Sequence, residues 1–240
     1  MEKIDLSLII PAYNEEKKIT KDIEEAYKFF NSSRLNGEVI VSTDGVTDRT
    51  NEIVLNLKIK FKNLKLISEN SKIGKGAAIK RGVQESNGDF VMFADAGYCV
   101  PFEYIKDGLM VLSNGYDVAI ASRATPNSKI VKAQPLTRKL GSYLFRLLKA
   151  SFLGIQEGIN DTQCGFKLYK RDIARVLFRN LKTKGFMFDI ELLLLAKKKG
   201  FKVKEFPVSW SNDIDSKLDI IRGSFVILKD LFKIKIVYKL

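Results

Sequence analysis

The 240-residue chain contains no histidine and only two cysteines. Without imidazole there is no His-based general acid or base, and Cys99 and Cys164, far apart and outside any CxxC spacing, cannot form a His/Cys zinc cluster. Chemistry must therefore rest on carboxylates, amides, lysine and arginine. No apolar run approaches the roughly 20 residues needed to span a bilayer. Nor does a signal peptide open the chain, because Met1-Glu2-Lys3-Ile4-Asp5 leads into a short apolar strand rather than a long apolar region. The expectation is a protein made and kept in the cytoplasm. Acid is missing locally as well: none lies between Asp117 and Glu157, whereas Arg123, Lys129, Lys132, Arg138, Lys139, Arg146 and Lys149 are all basic.

What is present is a core-forming composition with a strong positive excess. Hydrophobic residues make up 45% of the chain and prolines number five, and the length suffices for one large domain or two small ones with a sizeable core. Lysine and arginine exceed aspartate and glutamate by 41 to 28, a net charge of +13 that favours an anionic partner: nucleic acid, nucleotide or an acidic membrane surface.

Leu6-Ser7-Leu8-Ile9-Ile10 reads as a strand buried on both faces and stopped by Pro11. Asn14 reads as the N-cap of a helix running to about Phe30, with Glu15 and Glu16 in its first turn. Glu38 to Val41 forms a second strand ending in Ser42-Thr43-Asp44-Gly45, and Thr47 or Asp48 caps the next helix. Leu64 to Ile67 is a third strand, Gly74-Lys75-Gly76 opens a helix from about Ala77 to Glu85, and Asp89 to Asp95 is the fourth strand. Strands alternating with helices at this spacing predict an α/β fold with a mostly parallel central sheet. The ends of strands one, two and four should converge on one cleft, where a nucleotide is the usual ligand.

After Pro101 come a helix to about Ser113, a strand from Tyr116 to Ala121, and a basic, loop-like stretch from Thr125 to Pro135. From Thr137 to Phe152, Leu140, Tyr143, Leu144, Leu147 and Leu148 recur at helical spacing among basic residues, giving an amphipathic basic helix. Asp161 to Tyr169 reads as loop and strand, Arg171 to Phe178 as a short helix, and Asp189 to Lys199 as a helix closed by Gly200. The last strand, Phe201 to Val208, leads through Trp210 to the tail. The expected organisation is one domain over 1–219 and a basic amphipathic segment over 220–240.

The ordered series Pro11-Ala12-Tyr13-Asn14-Glu15, Asp44 with Asp48, Gly74-Lys75-Gly76, and Asp95 resembles the inverting family-2 glycosyltransferases of GT-A fold, and within them the polyprenyl-phosphate sugar synthases. Ser122-Arg123, Asp161-Thr162-Gln163-Cys164-Gly165-Phe166-Lys167, Phe188-Asp189-Ile190-Glu191 and Ser216-Lys217-Leu218 are most similar to the dolichyl-phosphate β-glucosyltransferase group. The resemblance covers about residues 5 to 220. It implies transfer of a hexose, with UDP-glucose the favoured donor and GDP-mannose the nearest alternative, to a polyprenyl or dolichyl phosphate with inversion.

The resemblance also distributes roles. Pro11, Tyr13, Glu15, Asp44, Lys75, Gly76 and Asp95 fall on the donor side; Asp161, Asp95 and Gln163 at the reacting centre; Arg123, Arg138 and Lys217 at the acceptor phosphate. The family's Asp-x-Asp metal motif appears here as Asp95-Ala96-Gly97, one carboxylate short. Magnesium is commonly held by one or two carboxylates plus phosphates and waters, so Mg2+ or Mn2+ at Asp95 is the expected cofactor. The missing carboxylate also permits a non-catalytic nucleotide-sugar binding protein. A nucleic-acid binder gains from the charge but lacks any recognised module, so no nucleic-acid partner is expected.

The same residues admit plainer structural readings. Asp95 can open a turn, Gly74 to Gly76 can be a turn before a helix, Asp161 and Thr162 can cap a turn, and Asp189 can be an N-cap with Glu191 a helix-dipole partner. With no membrane-spanning helix, contact with a lipid acceptor has to come from the two basic amphipathic segments, placing the protein peripherally at the inner face of the cell membrane.

Overall fold

The computed structural model describes residues 3–132, 158–212 and 230–238. The amphipathic helix expected at 137–152, Arg138 and Lys217 lie outside them. Strands β1 (Leu6–Ala12), β2 (Gly37–Asp44), β3 (Leu64–Glu69), β4 (Phe90–Ala94), β5 (Val118–Ser122), β7 (Phe166–Lys170) and β8 (Val203–Pro207) form one seven-stranded sheet in the order β3-β2-β1-β4-β7-β5-β8. A second, two-stranded sheet pairs β6 (Lys129–Lys132) with β9 (Ser209–Ser211) in parallel.

The helices are α1 (Ile19–Ser33), α2 (Thr50–Leu57), α3 (Lys75–Gln84), α4 (Ile105–Ser113), α5 (Arg171–Asn180) and α6 (Phe188–Lys198). A short helix, α7, spans 230–238. The strands are apolar almost throughout because both faces of the sheet are covered. Leu8, Ile10, Val39, Val41, Met92 and Leu168 point into a core shared with α1, α2 and α4. Their alternate neighbours Ile9, Ile40, Val91, Phe93 and Ile120 point into a second core shared with α3, α5 and α6.

One strand breaks the parallel pattern and in doing so builds the site. β7 runs antiparallel to both β4 and β5, with Ala94 opposite Phe166 and Ile120 opposite Lys167. Its entry therefore lies at the edge where β4 and β5 exit, so the loop before β7 faces the residues after those strands.

Several boundaries differ from the sequence reading for local reasons. Pro11 does not stop β1, which continues to Ala12 in register with Thr43. Asn14 is not a helix N-cap: it takes the left-handed conformation (φ 57) and its side chain pairs with Thr47, accepting from the backbone N–H at 2.7 Å and donating to the hydroxyl at 3.0 Å. Helix α1 starts later, at Ile19. The stretch read as a loop from Thr125 to Pro135 contains strand β6, because β9 supplies a partner that periodicity alone does not reveal.

Helix α6 is buried on all sides, as an apolar Leu192-Leu193-Leu194-Leu195 run requires. The sheet covers one face. On the other, Leu231 and Ile234 of α7 pack against Met187, Ile190 and Leu194.

Candidate functional site

Asp44 ends β2 and is buried, and its carboxylate organises the neighbouring loop. Oδ2 accepts the N–H groups of Ile73 (3.1 Å) and Gly74 (2.7 Å), while Oδ1 accepts from Arg81 Nη2 (3.1 Å). Gly74 has to be glycine: its φ is 136° and a Cβ there would stand 2.4 Å from the Lys184 carbonyl oxygen. These contacts fix the start of α3. Lys72, from the same loop, sets its ammonium 3.6 Å from the centre of the Tyr13 ring.

Fixing α3 aims its first residue across the cleft. Lys75 Nζ lies 2.6 Å from Asp95 Oδ1, just past the end of β4. Burial works against the Lys75 charge, but Asp95 and Asp189 more than offset it and hold the pKa above the ordinary lysine value. The backbone N–H of Asp95 donates to the Gly165 carbonyl at 2.8 Å. A Cβ on Gly165 would stand 2.1 Å from Asp95 Cγ, so glycine is what lets the loop before β7 close on this carboxylate.

Asp161, in that same loop, has both carboxylate oxygens engaged. Arg123 binds it in a fork, Nε to Oδ2 at 2.6 Å and Nη2 to Oδ1 at 2.8 Å, and the Arg123 backbone N–H adds a third bond at 2.9 Å. Burial opposes the Asp161 charge, yet these Arg123 bonds outweigh it and lower the pKa. Burial likewise opposes the Arg123 charge, and Asp161 raises its pKa past it. The guanidinium also lies 5.2 Å from the Trp210 ring centre, so Trp210 is core-packed and backs the arginine. Beneath the pair, Glu205 Oε1 on β8 accepts the N–H groups of Asp161 (2.6 Å) and Asn160 (2.9 Å). Gln163 donates its backbone N–H to Asp161 Oδ1, and its Nε2 is buried without a hydrogen-bond partner among the described residues.

Asp189 is not the N-cap, a position taken by Met187; it and Glu191 both lie in the first turn of α6, where the helix dipole favours acids, and each has further partners. Asp189 forms a fully buried ion pair with Lys167, 2.6 Å, and Lys167 also donates to the Cys164 carbonyl at 2.7 Å. Burial pushes the Asp189 carboxyl up, against the pull of Lys167 and Lys75. Glu191 accepts the N–H groups of Lys182 (2.9 Å) and Thr183 (2.7 Å) and the Tyr238 hydroxyl (2.6 Å). It thereby ties α7 to the 182–185 loop that abuts Gly74.

Asp22, on α1, is 1% exposed and accepts the Gly97 N–H at 2.9 Å, while its second oxygen has no hydrogen-bond partner among the described residues. Burial raises its pKa to about 7.

The structure thus brings Asp44, Lys75, Gly76, Asp95, Arg123, Asp161 and Gln163 to one edge of the sheet. Tyr13 joins them through Lys72. Pro11 stays inside β1, and Glu15 is ion-paired to Lys18 at 2.8 Å while its N–H donates to Thr50 Oγ1. The sequence alone assigns no role to Asp22, Arg81, Glu205 or Lys167, the last of which it places only at the end of the Asp161 motif. An acid or base inside an apolar strand signals the last two; nothing in the sequence marks the others.

Among the described residues no group of three His, Cys, Asp or Glu side chains is placed to hold a metal ion. Asp95 with a diphosphate is still a donor set that magnesium uses, since one or two carboxylates plus phosphate oxygens suffice.

Comparison with known proteins agrees with this geometry. The family model for glycosyl transferase family 2 matches residues 7–178. A dolichyl-phosphate beta-glucosyltransferase of Trichomonas vaginalis is 33% identical over 242 residues, covering 98% of this chain and 74% of that one. One from Saccharomyces cerevisiae is 32% identical over 257 residues, covering 100% and 76%. Among solved structures, glucosyl-3-phosphoglycerate synthase from Mycobacterium tuberculosis, in complex with Mn2+, UDP and glucosyl-3-phosphoglycerate, aligns with a TM-score of 0.65 at 17% identity, covering 98% of this chain and 80% of that one. That likeness establishes the GT-A fold. With the cleft, the fold and a family match over most of its length in agreement, the chain belongs to glycosyl transferase family 2 and is a glycosyltransferase.

Proposed function

We propose that the protein transfers glucose from UDP-glucose to a dolichyl or related polyprenyl phosphate, with inversion at the anomeric carbon. The observation that carries this reading is the meeting of Asp95 with the 161–165 loop, which sets a donor cleft beside a cationic pocket in a chain similar over nearly its full length to dolichyl-phosphate beta-glucosyltransferases.

The donor lies along the ends of β1, β2 and β4, its base near Tyr13 and Asp44 and its diphosphate at Lys75, Gly76 and Asp95. Asp44 acts mainly by shaping the loop, since its oxygens already accept from Ile73, Gly74 and Arg81. Asp95, together with the donor diphosphate, would hold a divalent ion, Mg2+ or Mn2+, which would supply positive charge to the leaving group. Arg123 marks the acceptor side, with Arg138 and Lys217 as further phosphate cations.

Asp161 fits a positioning role better than that of a base. Paired with Arg123 it stays ionised and its lone pairs are engaged, whereas a general base needs one free for the proton. The acceptor does not require one. A phosphate monoester has a second pKa near ~6, so at neutral pH its oxygen already carries the charge needed for attack. That oxygen forms the new bond to the anomeric carbon as the bond to the β-phosphate oxygen breaks, and UDP leaves on the opposite face. Arg123 orients the incoming phosphate while Asp161 fixes the guanidinium plane, and Gln163 offers its amide to the sugar or a phosphate.

No helix among the described residues is long and apolar enough to cross a membrane. The proposed location is peripheral, at the inner face of the cell membrane, where the lipid acceptor is met.

The test is incubation of the full chain with a panel of nucleotide sugars, including UDP-glucose and GDP-mannose, and a short polyprenyl phosphate, scored for a new lipid-linked sugar. UDP-glucose should give the product. Product from GDP-mannose alone would reassign the donor, and UDP binding without product from any donor would sink the catalytic reading.

A further inference from the structure

The family pattern places two carboxylates after β4, and this chain has one. The second position is Gly97, whose N–H is held by Asp22. The remaining carboxylate already has a cation, Lys75 Nζ at 2.6 Å from Asp95 Oδ1. That lysine is not a wandering surface side chain: only 19% of it is exposed and its ammonium lies 5.9 Å from the Phe188 ring centre. Its backbone is pinned on both sides, by Asp44 at Gly74 and by the close packing of Gly74 and Gly76 on the 183–185 loop and Phe188.

Two carboxylates would leave net negative charge beside one ammonium, but a single carboxylate is neutralised one for one. Because the ammonium already sits on Oδ1 of a carboxylate that is 36% exposed, a divalent ion arriving at Asp95 would lie beside a like charge, and the repulsion between the two cations favours displacement of the lysine. The freed ammonium has nowhere distant to go, because α3 holds its Cα at the mouth of the cleft. Asp189, the other carboxylate acting on Lys75, is already paired with Lys167, so the anion left for the ammonium is the diphosphate that arrives with the ion.

We propose that Lys75 is a resident counter-ion of Asp95, exchanged for a divalent ion when the donor binds, and that the displaced ammonium becomes a second cation for the donor diphosphate. Ion and nucleotide then bind in strong mutual support, since the ion alone must break the Lys75–Asp95 pair and only the nucleotide gives the lysine a new partner. This inference rests on the donor-site reading above.

The two roles of Lys75 have opposite signs, which separates them from a structural one. Titration of the full chain with Mn2+, read by the paramagnetic resonance of the free ion, gives the ion affinity without nucleotide. Calorimetry at saturating Mn2+ gives the UDP affinity. Lys75→Gln should raise the first by up to about fivefold, the range set by losing one partly exposed ion pair, and lower the second by at least about threefold. Lys75→Arg, which keeps the charge, should leave the ion affinity low. A second measurement uses the unaltered protein: labelling of Lys75 by an amine-directed reagent, quantified by mass spectrometry, should rise with Mg2+ alone and fall again when UDP is added.

If Lys75→Gln weakens ion and UDP together, or leaves ion affinity unchanged, the exchange is wrong and the lysine is structural. Labelling that does not respond to Mg2+ overturns it equally, without need of a variant. Failure of the unaltered chain to bind UDP with Mn2+ present overturns the donor-site reading itself, and this inference with it.

Discussion

At the scale of single residues, two carboxylates sit in opposite electrostatic situations and should respond to pH in opposite directions. Burial raises the Asp22 pKa from 3.8 to about 7. Between those values the folded protein holds a proton that the unfolded chain has released, so stability falls as pH rises through the window and is level above it. Replacing Asp22 with Asn should flatten that fall and stabilise the protein at pH 8 by roughly 2 to 4 kcal/mol, measured by denaturant unfolding across pH. A slope unchanged by the substitution would show that Asp22 is not the group responsible. For Asp161 the folded pKa is depressed, so its contribution is present above the ordinary carboxylate range and is lost as pH falls through the folded value. Asp161→Asn removes the charge that anchors the Arg123 guanidinium, so turnover should fall by at least about tenfold. UDP affinity should stay within about twofold, because the proposed donor contacts lie on the other side of Asp95. Unchanged turnover would take Asp161 out of the reacting centre.

Elements decide which residues meet. The antiparallel course of β7 is what carries the 161–165 loop to Asp95, and one glycine permits the approach. In Gly165→Ala the new methyl group would overlap the Asp95 carboxylate, with its Cβ 2.1 Å from Asp95 Cγ. Either Asp95 turns away or the loop backs off. The expected result is a loss of about 1 to 3 kcal/mol of stability, together with a UDP affinity, measured calorimetrically with Mn2+, reduced by at least about fivefold. An alanine variant that binds UDP normally would show that the Asp95 position in this structure is not the one the donor needs.

For the whole molecule, the question is how a +13 chain would meet the proposed lipid acceptor. Helix α7 docks through Leu231, Ile234 and Tyr238, which leaves Phe232, Ile236 and Val237 exposed beside Lys233. Apolar side chains entering the headgroup boundary, with lysines attracted to anionic lipid, would hold the protein at the surface. Binding to anionic vesicles should therefore weaken with salt and fall when Lys229, Lys233, Lys235 and Lys239 are all changed to Glu, with UDP binding preserved. Phe232→Ser with Ile236→Ser should lower vesicle binding without moving the melting temperature by more than a few degrees. Equal binding to neutral and anionic vesicles would refute the electrostatic part of the anchor.

The alternation of apolar runs and helical periods by itself determined the α/β class and the sequence of the main elements, because both are set by local burial and chain stiffness. It also determined that Asp44 ends a strand, that Asp95 directly follows one and that Gly74-Lys75-Gly76 begins a helix, since a carboxylate or glycine at a strand or helix end is a local signal. Asn14 shows where such signals fail: its composition suits an N-cap, but pairing with Thr47 outweighs that preference. β6 was read as loop for the same reason, its partner β9 lying far along the chain. Only the tertiary structure decided that β7 runs antiparallel, and hence that Asp161 would face Arg123 and Asp95 would face Gly165. It likewise decided that Asp44 holds a loop, that Asp189 pairs with Lys167 and that Asp95 is paired with Lys75. Each of these depends on which distant groups share a low-dielectric space, and charge pairing across such a space is a property of the packed sheet rather than of any stretch of chain.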